Sequence, residues 1–310
     1  MLTGMSSVLL TVMFSGLSVP LIRISVTADA SKLFVALSGS PIGGPGVDES
    51  KLPPADRAAD GIGVIDVASG SVIRKYKSGQ DPESFAVSLD GKTLFVSNED
   101  EAALSVLDLD SGNVKTSVKV GEEPEGVTVR PDGKAVYVTS EGDGVVTAVD
   151  TSTLQVLARV TTGPRPRSIA FTKDGATGFI TNENAASLTV FDTASHSVKT
   201  TIQIPKIEGA PTAPRPMGQV VSPDGTRLYV SLGRAKAIAI VDTASLAVVG
   251  TITDVGARPW GIGISPDGAT LYTANGPSGD VTVVDVASRK VERHIAVGGS
   301  PWGVAVASPK

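Results

Sequence analysis

The stretch from Pro259 to Gly298 reads PWGIGISPDGATLYTANGPSGDVTVVDVASRKVERHIAVG and contains four strand-like segments. The first, WGIGIS, is joined to the second, TLYTAN, by Pro266, Asp267 and Gly268. This is a turn signal, because Gly accepts a positive φ and Asp hydrogen-bonds the local backbone. The third segment, DVTVVDV, alternates and is β-branched, and KVERHIAVG follows after a second turn. The stretch therefore predicts four consecutive antiparallel strands.

This four-strand unit recurs along the chain. Each copy starts at a proline: Pro82, Pro124, Pro166, Pro216, Pro259 and Pro301. The spacings are 42, 42, 50, 43 and 42 residues, and a degenerate copy begins near Pro20, 62 residues before Pro82. Asp-Gly turns recur in register, at Asp90-Gly91, Asp132-Gly133, Asp174-Gly175 and Asp224-Gly225. Every third strand ends in an aspartate: Asp66, Asp108, Asp150, Asp192, Asp242 and Asp285. With no helical period present, these repeats predict an all-β fold, a β-propeller of four-stranded antiparallel blades forming one domain over residues 1–310.

The number of blades depends on the chain ends. The sequence contains six full units and, at the C-terminus, the first strand of a seventh, WGVAV. Residues 1–19 are apolar, contain no Lys or Arg, and are either a signal-like segment or strands that close the ring. We predict seven blades with an incomplete closing blade, and six blades as the alternative.

Composition excludes several classes of site. The 310 residues include 27 Lys and Arg against 32 Asp and Glu, and the net charge of −5 gives no reason to expect nucleic acid. No apolar run reaches the ~18 residues of a transmembrane helix. There is no cysteine, and two histidines, His196 and His294, leave little material for a Ser-His-Asp triad or a multi-histidine metal site. We expect no metal, no cofactor and a monomer.

Variation between the units is concentrated on one face of the disc. The Asp-Gly turns and the turns after the third strand are short and uniform, and they share a face. The loops between the second and third strands, and the connections between units, lie on the other face and vary, as loops that carry function do. Two insertions, residues 38–61 and residues 204–216, emerge on this variable face. Four prolines restrict the first insertion, so we expect an ordered lid.

The residue after each repeat proline starts an innermost strand and is expected to rim the central channel on the variable face. The series is Glu83, Glu125, Arg167, Met217, Trp260 and Trp302. Such a mixture of aromatic, acidic and basic side chains is typical of ligand-binding and protein-binding sites. The alternative is that the two tryptophans fill space and that Arg167 merely neutralises Glu125. Further candidates in the variable loops are Asn98, Glu141, Asn182, Arg234 and Asn275.

The segments AVYVTS, TLFVSN, RLYVSL and TLYTAN resemble the YVTN-type propeller repeat, over about residues 20–310. The segments ALSGSP, GVDESKLPPADRAADGIGV, RPWGI and GGSPWGVAV are similar to those of the bacterial propeller subfamily associated with alcohol catabolism that depends on pyrroloquinoline quinone (PQQ). The resemblance implies a seven-bladed, exported protein, periplasmic or extracellular. The chain departs from that subfamily at the N-terminus, where another blade's strands and an ordinary signal would be expected.

The first functional hypothesis is a non-enzymatic binding or interaction protein that docks a small molecule or a partner protein on its loop-rich face. The resemblance implies a periplasmic quinoprotein dehydrogenase or a cytochrome as the context. One alternative is an envelope structural protein built from repeats. The other is a propeller enzyme of the lactonase or lyase type, which needs a catalytic base at the channel mouth, where Glu83 and Glu125 are the rim carboxylates.

Overall fold

The computed structural model describes residues 21–27, 29–41, 48 and 51–307. Its strands form six antiparallel sheets of four, which we number as blades one to six. Blade one comprises β1 (Leu21–Val26), β2 (Lys32–Leu37), β3 (Gly61–Asp66) and β4 (Ser71–Tyr76). Blade two comprises β5 (Pro82–Val87), β6 (Thr93–Asn98), β7 (Ala103–Asp108) and β8 (Val114–Lys119). Blade three comprises β9 (Pro124–Val129), β10 (Ala135–Ser140), β11 (Val145–Asp150) and β12 (Val156–Thr161).

The remaining blades repeat this order. Blade four comprises β13 (Pro166–Phe171), β14 (Thr177–Asn182), β15 (Ser187–Asp192) and β16 (Val198–Gln203). Blade five comprises β17 (Gln219–Val221), β18 (Arg227–Ser231), β19 (Ile238–Asp242) and β20 (Ala247–Ile252). Blade six comprises β21 (Pro259–Ile264), β22 (Thr270–Asn275), β23 (Asp280–Asp285) and β24 (Lys290–Ala296). Short 3-10 turns follow the second strand of blades two, four and five: Glu99–Glu101, Glu183–Ala185 and Gly233–Ala235.

The turns have the geometry that the sequence predicts. Gly91 has a φ of +72°, and Asp90 accepts a hydrogen bond from the Lys92 amide at 3.1 Å. At the end of the third strand, Asp108 accepts hydrogen bonds from the amide and the hydroxyl of Ser111. Because these residues close turns, their recurrence is structural, and the predicted propeller of four-stranded blades is confirmed.

The blade count follows the six-bladed alternative, because the described residues form six complete blades. A seventh place in the ring is filled by residues 301–306, an extended segment between the innermost strands of blades six and one. The Trp302 carbonyl accepts a hydrogen bond from the Gly261 amide at 2.9 Å, and a Cβ on Gly303 would lie 3.3 Å from Cγ1 of Ile24. A segment of this length supplies one strand only, which is why no further complete blade forms from the described residues. The predicted roles of residues 1–19 fall outside the described ranges.

The core lies between neighbouring blades. Phe34 of blade one packs against Phe85 of blade two, with ring centroids 6.3 Å apart. Tyr137 of blade three packs against Phe171 of blade four, with centroids 5.0 Å apart. Because neighbouring blades cover both faces of the middle strands, every residue of β10 is buried. This packing holds the innermost strands around one axis. Within the described ranges, no helix has the length and apolarity needed to cross a membrane.

Candidate functional site at the channel mouth

The innermost strands surround a central channel whose mouth is a cavity of about 120 Å³. All six residues that follow the repeat prolines line it: Glu83, Glu125, Arg167, Met217, Trp260 and Trp302. Arg23 of β1 completes the wall and is exposed to the channel. The structure therefore brings together every side chain that the sequence placed at the rim, because each innermost strand begins at this end of the channel.

The residue after the repeat proline lines the mouth, and two further positions of each unit lie beside it: the residue before the proline and the residue that follows the second strand. In blade two these residues are Asp81, Glu83 and Glu99; in blade three, Glu123, Glu125 and Glu141; in blade four, Arg165, Arg167 and Glu183. In blade five they are Arg215, Met217 and the nearby Gly233; in blade six, Arg258, Trp260 and Gly276. The mouth is therefore acidic at blade two and basic and aromatic at blades five and six.

Arg167 links blades three and four. Its side chain is 9% exposed. It contacts the carboxylates of Glu125, Glu141 and Glu183, the last with 2.8 Å between Nε and Oε2. Arg165 adds ion pairs to Glu141 at 2.7 Å and to Glu183 at 3.3 Å. The contact between Arg167 and Glu125 is the neutralising pair that the sequence offered as the alternative to a binding role.

The pKa values of these acids follow their partners. Burial, and after it the charge of Glu125, raises the pKa of Glu141 to about 9. The carboxyl of Glu141 is therefore largely protonated near neutral pH. Burial opposes ionisation of Glu183 as well, but the Arg167 guanidinium lowers the pKa of Glu183 below its usual value. Arg215, at the end of the second insertion, is a further partner of Glu183 at 3.1 Å.

Blade two carries acids without such a partner. Carboxylate oxygens of Asp81, Glu83 and Glu99, one from each, lie within 4.8 Å of one another. Glu83 is 8% exposed, and its carboxylate makes no hydrogen bond or ion pair with any described residue. Burial, followed by the charge of Glu125, raises the pKa of Glu83 well above its usual value. The same two causes raise the pKa of Glu99 to about 7. No arginine neutralises this group, which we call the blade-two acidic triple (Asp81, Glu83, Glu99).

The first insertion braces the acidic triple. The Ser38 hydroxyl donates to Oδ1 of Asp81, and the Ser40 hydroxyl donates to Oδ2 at 2.7 Å. At the other end of the insertion, Asp60 accepts hydrogen bonds from the amides of Gly39 at 2.7 Å and Asp81 at 3.1 Å. Both ends of the insertion are thus fastened beside the mouth.

Trp260 and Trp302 lie across the channel from blade two, with their rings in a T-shaped arrangement at 73°. The Arg258 guanidinium lies over the Trp260 ring, 4.5 Å from its centroid, in a cation–π contact. Burial, and after it the charge of Arg234, lowers the pKa of Arg258. Nε1 of Trp260 is buried without a partner among the described residues. This side of the mouth therefore offers aromatic surface and positive charge.

The asparagines proposed as loop candidates lie inside the blades instead. Asn98, Asn182 and Asn275 each end a second strand and are 0% exposed. Their side-chain amides bond within their own blade and, for Asn98 and Asn182, to the connection that precedes it. The amide of Asn275 donates to Asp280 at 2.7 Å and to Thr282 at 2.8 Å. The sequence pattern placed each asparagine in the loop after the second strand. In the structure it is the last residue of that strand, and its side chain faces the interior. We therefore leave these three residues out of the site.

Sequence reasoning identified the position after the repeat proline and, from the other two positions, Glu141 alone. The missed positions include Asp81, Glu99, Arg165 and Glu183. They recur in register with the repeat proline, as the rim series does. Comparing every position of the aligned repeats, instead of the residue after the proline alone, would have found them.

A larger cavity of about 910 Å³ opens on the turn face, between blades one and two. Two of its polar side chains, those of Arg74 and Tyr76, are engaged with the protein. Arg74 stacks on the Tyr76 ring, 4.4 Å from the centroid, and the Tyr76 hydroxyl donates to the Leu109 carbonyl at 2.9 Å. The cavity lacks the buried, unpartnered carboxylate that distinguishes the channel mouth among the described residues.

A family model described as "Lactonase, 7-bladed beta-propeller" matches residues 127–299, more than half of the chain. The chain belongs to this lactonase family. Among solved structures, hydrazine synthase of Kuenenia stuttgartiensis is 20% identical with a TM-score of 0.76, covering 96% of this chain and 93% of that chain. A functionally unknown protein from Desulfotomaculum acetoxidans DSM 771 is 14% identical with a TM-score of 0.76, covering 95% of this chain and 91% of that chain. At these identities the likeness shows the fold alone. No curated protein matches this lactonase-family chain.

Proposed function

We propose that this lactonase-family propeller is a binding protein that holds a small polar ligand at the channel mouth, between the blade-two acidic triple and the tryptophan pair. The observation that carries the proposal is Glu83, a residue that is 8% exposed, lines the channel mouth and makes no hydrogen bond or ion pair with a described residue. A carboxyl group in a channel with no protein partner is open to a ligand or an ion. Neighbouring acids at equivalent positions, Glu125 and Glu141, are paired with arginine.

The dimensions of the mouth favour a small molecule over a folded segment. A cavity of about 120 Å³ holds a handful of non-hydrogen atoms, since one water takes about 30 Å³ of liquid volume. A group that donates hydrogen bonds or carries positive charge suits Glu83 and Glu99. Across the channel, Trp260 offers a flat apolar surface, and Arg23 offers donors to an electronegative atom.

The two tryptophans supply a direct test, because they are the only ones in the chain and both line the mouth. A panel of small polyols, amines and hydroxy acids is titrated while the tryptophan emission is recorded. We expect a saturable change with at least one class, lost in Glu83→Gln and kept in Glu122→Gln, a control with an exposed carboxyl on the same face. Equal responses from both variants would remove the mouth from the proposal.

The biological setting is a second part of the proposal and is supported by the sequence resemblance alone. We propose export to the periplasm or cell exterior and a place beside a quinoprotein dehydrogenase or cytochrome of PQQ-dependent alcohol catabolism. Affinity capture from the native cell, with mass spectrometry of the captured proteins and of the mature N-terminus, tests both points. Recovery from the cytoplasm with an unprocessed N-terminus would contradict export.

Lactone hydrolysis is a second candidate function, favoured by the pKa of Glu99 and by the family. At a pKa of about 7, Glu99 is suited to take a proton from water at neutral pH. The activated water oxygen would add to the lactone carbonyl carbon. The ring C–O bond would then break, and Glu99 would return the proton to the alkoxide, giving a hydroxy acid. The two histidines lie elsewhere, His196 against Tyr137 and His294 on the outermost strand of blade six.

A screen of γ- and δ-lactones separates this candidate from binding alone. Hydrolysis that is lost in Glu99→Gln and in the double variant Glu83→Ala/Glu125→Ala would support an enzyme. Activity that survives both variants would exclude this site, and absence of hydrolysis with retained ligand binding would leave the binding function alone.

A further inference from the structure

We propose that Asp81, Glu83 and Glu99 form a binding site for a hard divalent cation, with Ca²⁺ as the best fit. The inference rests on the proposed function, since it names the class of ligand that meets the acidic side of the mouth. The sequence predicted no metal, because these three residues belong to the start and end of two strands and form no ligand motif of fixed spacing.

The distances suit a calcium coordination sphere. Ca²⁺ binds oxygen at about 2.3–2.6 Å, so two of its ligands can lie at most about 4.6–5.2 Å apart. The three carboxylate oxygens are within 4.8 Å of one another, so small side-chain adjustments bring all three to one ion. Carboxylate oxygens are the donors that Ca²⁺, Mg²⁺ and Mn²⁺ prefer. Water from the channel would fill the remaining positions of the ion.

A comparison of equivalent positions shows what blade two lacks. In blade three, Glu141 is paired with Arg165 and Arg167, and in blade four Glu183 is paired with the same two arginines. Glu99 occupies the same position in blade two and has no basic partner among the described residues. Of the acids that follow a second strand, those of blades three and four are therefore paired with arginine, and Glu99 of blade two is paired with no described arginine.

The buried carboxylate of Glu83 is the independent sign of a ligand. It is more than nine-tenths buried, makes no bond with a described residue, and has an oxygen within 4.8 Å of oxygens of Asp81 and Glu99. Arg57 of the insertion pairs with Asp60 at 3.3 Å and with Asp100, and it forms no ion pair with a residue of the triple.

The surroundings of Asp81 resemble the outer shell of a metal site. Its two oxygens accept hydrogen bonds from the hydroxyls of Ser38 and Ser40, which fix the orientation of the carboxylate. Each carboxylate oxygen has two lone pairs, so one remains on each oxygen for a cation. Asp60 holds the Asp81 backbone amide at 3.1 Å from the other end of the insertion. The insertion would thus act as a positioning element for one ligand of the ion.

Calorimetric titration with CaCl₂ at about pH 8 tests the proposal, because carboxyl groups bind a metal ion in their deprotonated form. We expect one saturable site of sub-millimolar to millimolar affinity, about the range of extracellular calcium modules. Glu83→Gln should weaken binding at least about tenfold, by removal of one charged ligand from the first shell. Glu122→Gln, with the same change of charge on the same face, should bind as the wild type does.

Two results would overturn the inference: no saturable heat in the wild type up to about 10 mM Ca²⁺, or unchanged affinity in both Glu83→Gln and Glu99→Gln. In either case protons, and not a metal ion, would neutralise the carboxyl groups of the acidic triple. Circular dichroism and thermal melts confirm that each variant is folded, and Glu99→Gln serves if Glu83→Gln is not. If Ca²⁺ fails but organic ligands still change tryptophan emission in a Glu83-dependent way, the binding function stands and the cation site alone is rejected.

Discussion

Arg167 is a buried cation held by three carboxylates, and this arrangement decides how the mouth responds to mutation. Its side chain is 9% exposed, and those of Glu141 and Glu183 are 5% and 4% exposed. Removal of one member of such a network leaves uncompensated charge in the interior, which costs more than loss of an exposed ion pair. The sequence placed Arg167 and Glu125 at the mouth. It could not show that Glu141 and Glu183 share the same guanidinium, since that contact depends on packing between blades.

We predict that Arg167→Met lowers the free energy of unfolding by about 3–5 kcal/mol. Arg227→Met is the control, because Arg227 forms a partly exposed pair with Asp242 at 2.5 Å. It should cost less than about 1 kcal/mol. Urea denaturation of both variants gives the comparison. Similar losses of free energy in the two variants would show that the Arg167 network stabilises the fold no more than a partly exposed ion pair does.

Glu99 makes stability depend on pH in an unusual direction. The pKa of Glu99 is about 7 in the folded protein and 4.5 for an unperturbed glutamate. Between these values the folded state binds more protons than the unfolded state, so the free energy of unfolding contributed by Glu99 falls as pH rises through this window. Burial lowers the pKa of His196 below its usual value of 6.5. Below pH 6.5 the contribution of His196 to the free energy of unfolding therefore rises with pH, opposite to that of Glu99. The contribution of Glu99 is isolated by comparing a Glu99 variant with the wild type.

We predict that Glu99→Gln, measured without calcium, gains stability relative to wild type between about pH 5 and pH 8, by up to about 3 kcal/mol. His196 contributes equally to both proteins and cancels in the difference. Urea denaturation across that range measures the effect, and Glu122→Gln should parallel the wild type. A difference between Glu99→Gln and wild type that stays constant with pH would contradict the raised pKa.

At the scale of elements, the insertion at residues 38–61 joins two strands that are already paired. Leu37 ends β2 opposite Gly61, the first residue of β3. The repeat period identified the insertion, because the same blade resumes after it. The contacts of Ser38 and Ser40 with Asp81 could not be read from the period, because they join side chains from two blades.

We predict that deletion of Ile42 to Ala59 leaves the propeller folded. Residues 38–41 and Asp60 would remain to join β2 and β3, a connection close in length to that between Asn98 and Ala103 in blade two. The deletion removes the ion pairs of Arg57 with Asp100 and with the buried Asp60, but Asp60 keeps the amides of Gly39 and Asp81, so we expect the melting temperature to fall by less than about 5 °C. Ca²⁺ affinity should fall, because the deletion loosens the support of Asp81. Thermal melts and calorimetry test both parts, and an unfolded variant would show that the insertion belongs to the scaffold.

At the scale of the whole molecule, the ring is completed by residues 301–306. Val304 and Val306 pack against the cluster that contains Tyr272, and Trp302 contacts Trp260. The repeat pattern predicted the fold correctly, whereas the segment that it assigned to a seventh innermost strand contributes to the mouth without forming a regular strand. It could not determine the number of complete blades. A further blade needs outer strands from residues outside the repeats, and the period of the repeats carries no information about such residues.

We predict that truncation after Gly299 destabilises the whole ring by about 2–5 kcal/mol, since it removes apolar contacts and the hydrogen bond from Gly261 to Trp302. The melting temperature should fall in a single transition, because the blades share their cores with their neighbours. Calorimetric melting measures this. An unchanged melting temperature would mean that the C-terminal segment does not contribute to closure.

The most direct test of the central claim is a high-resolution crystal structure of the protein purified from its native cell. The account predicts electron density for an ion or a small molecule within about 3 Å of the Glu83 carboxylate, on the side of the mouth that faces Asp81 and Glu99. A structure in which Glu83 is paired with a protein side chain, or in which the mouth holds only water, would contradict it.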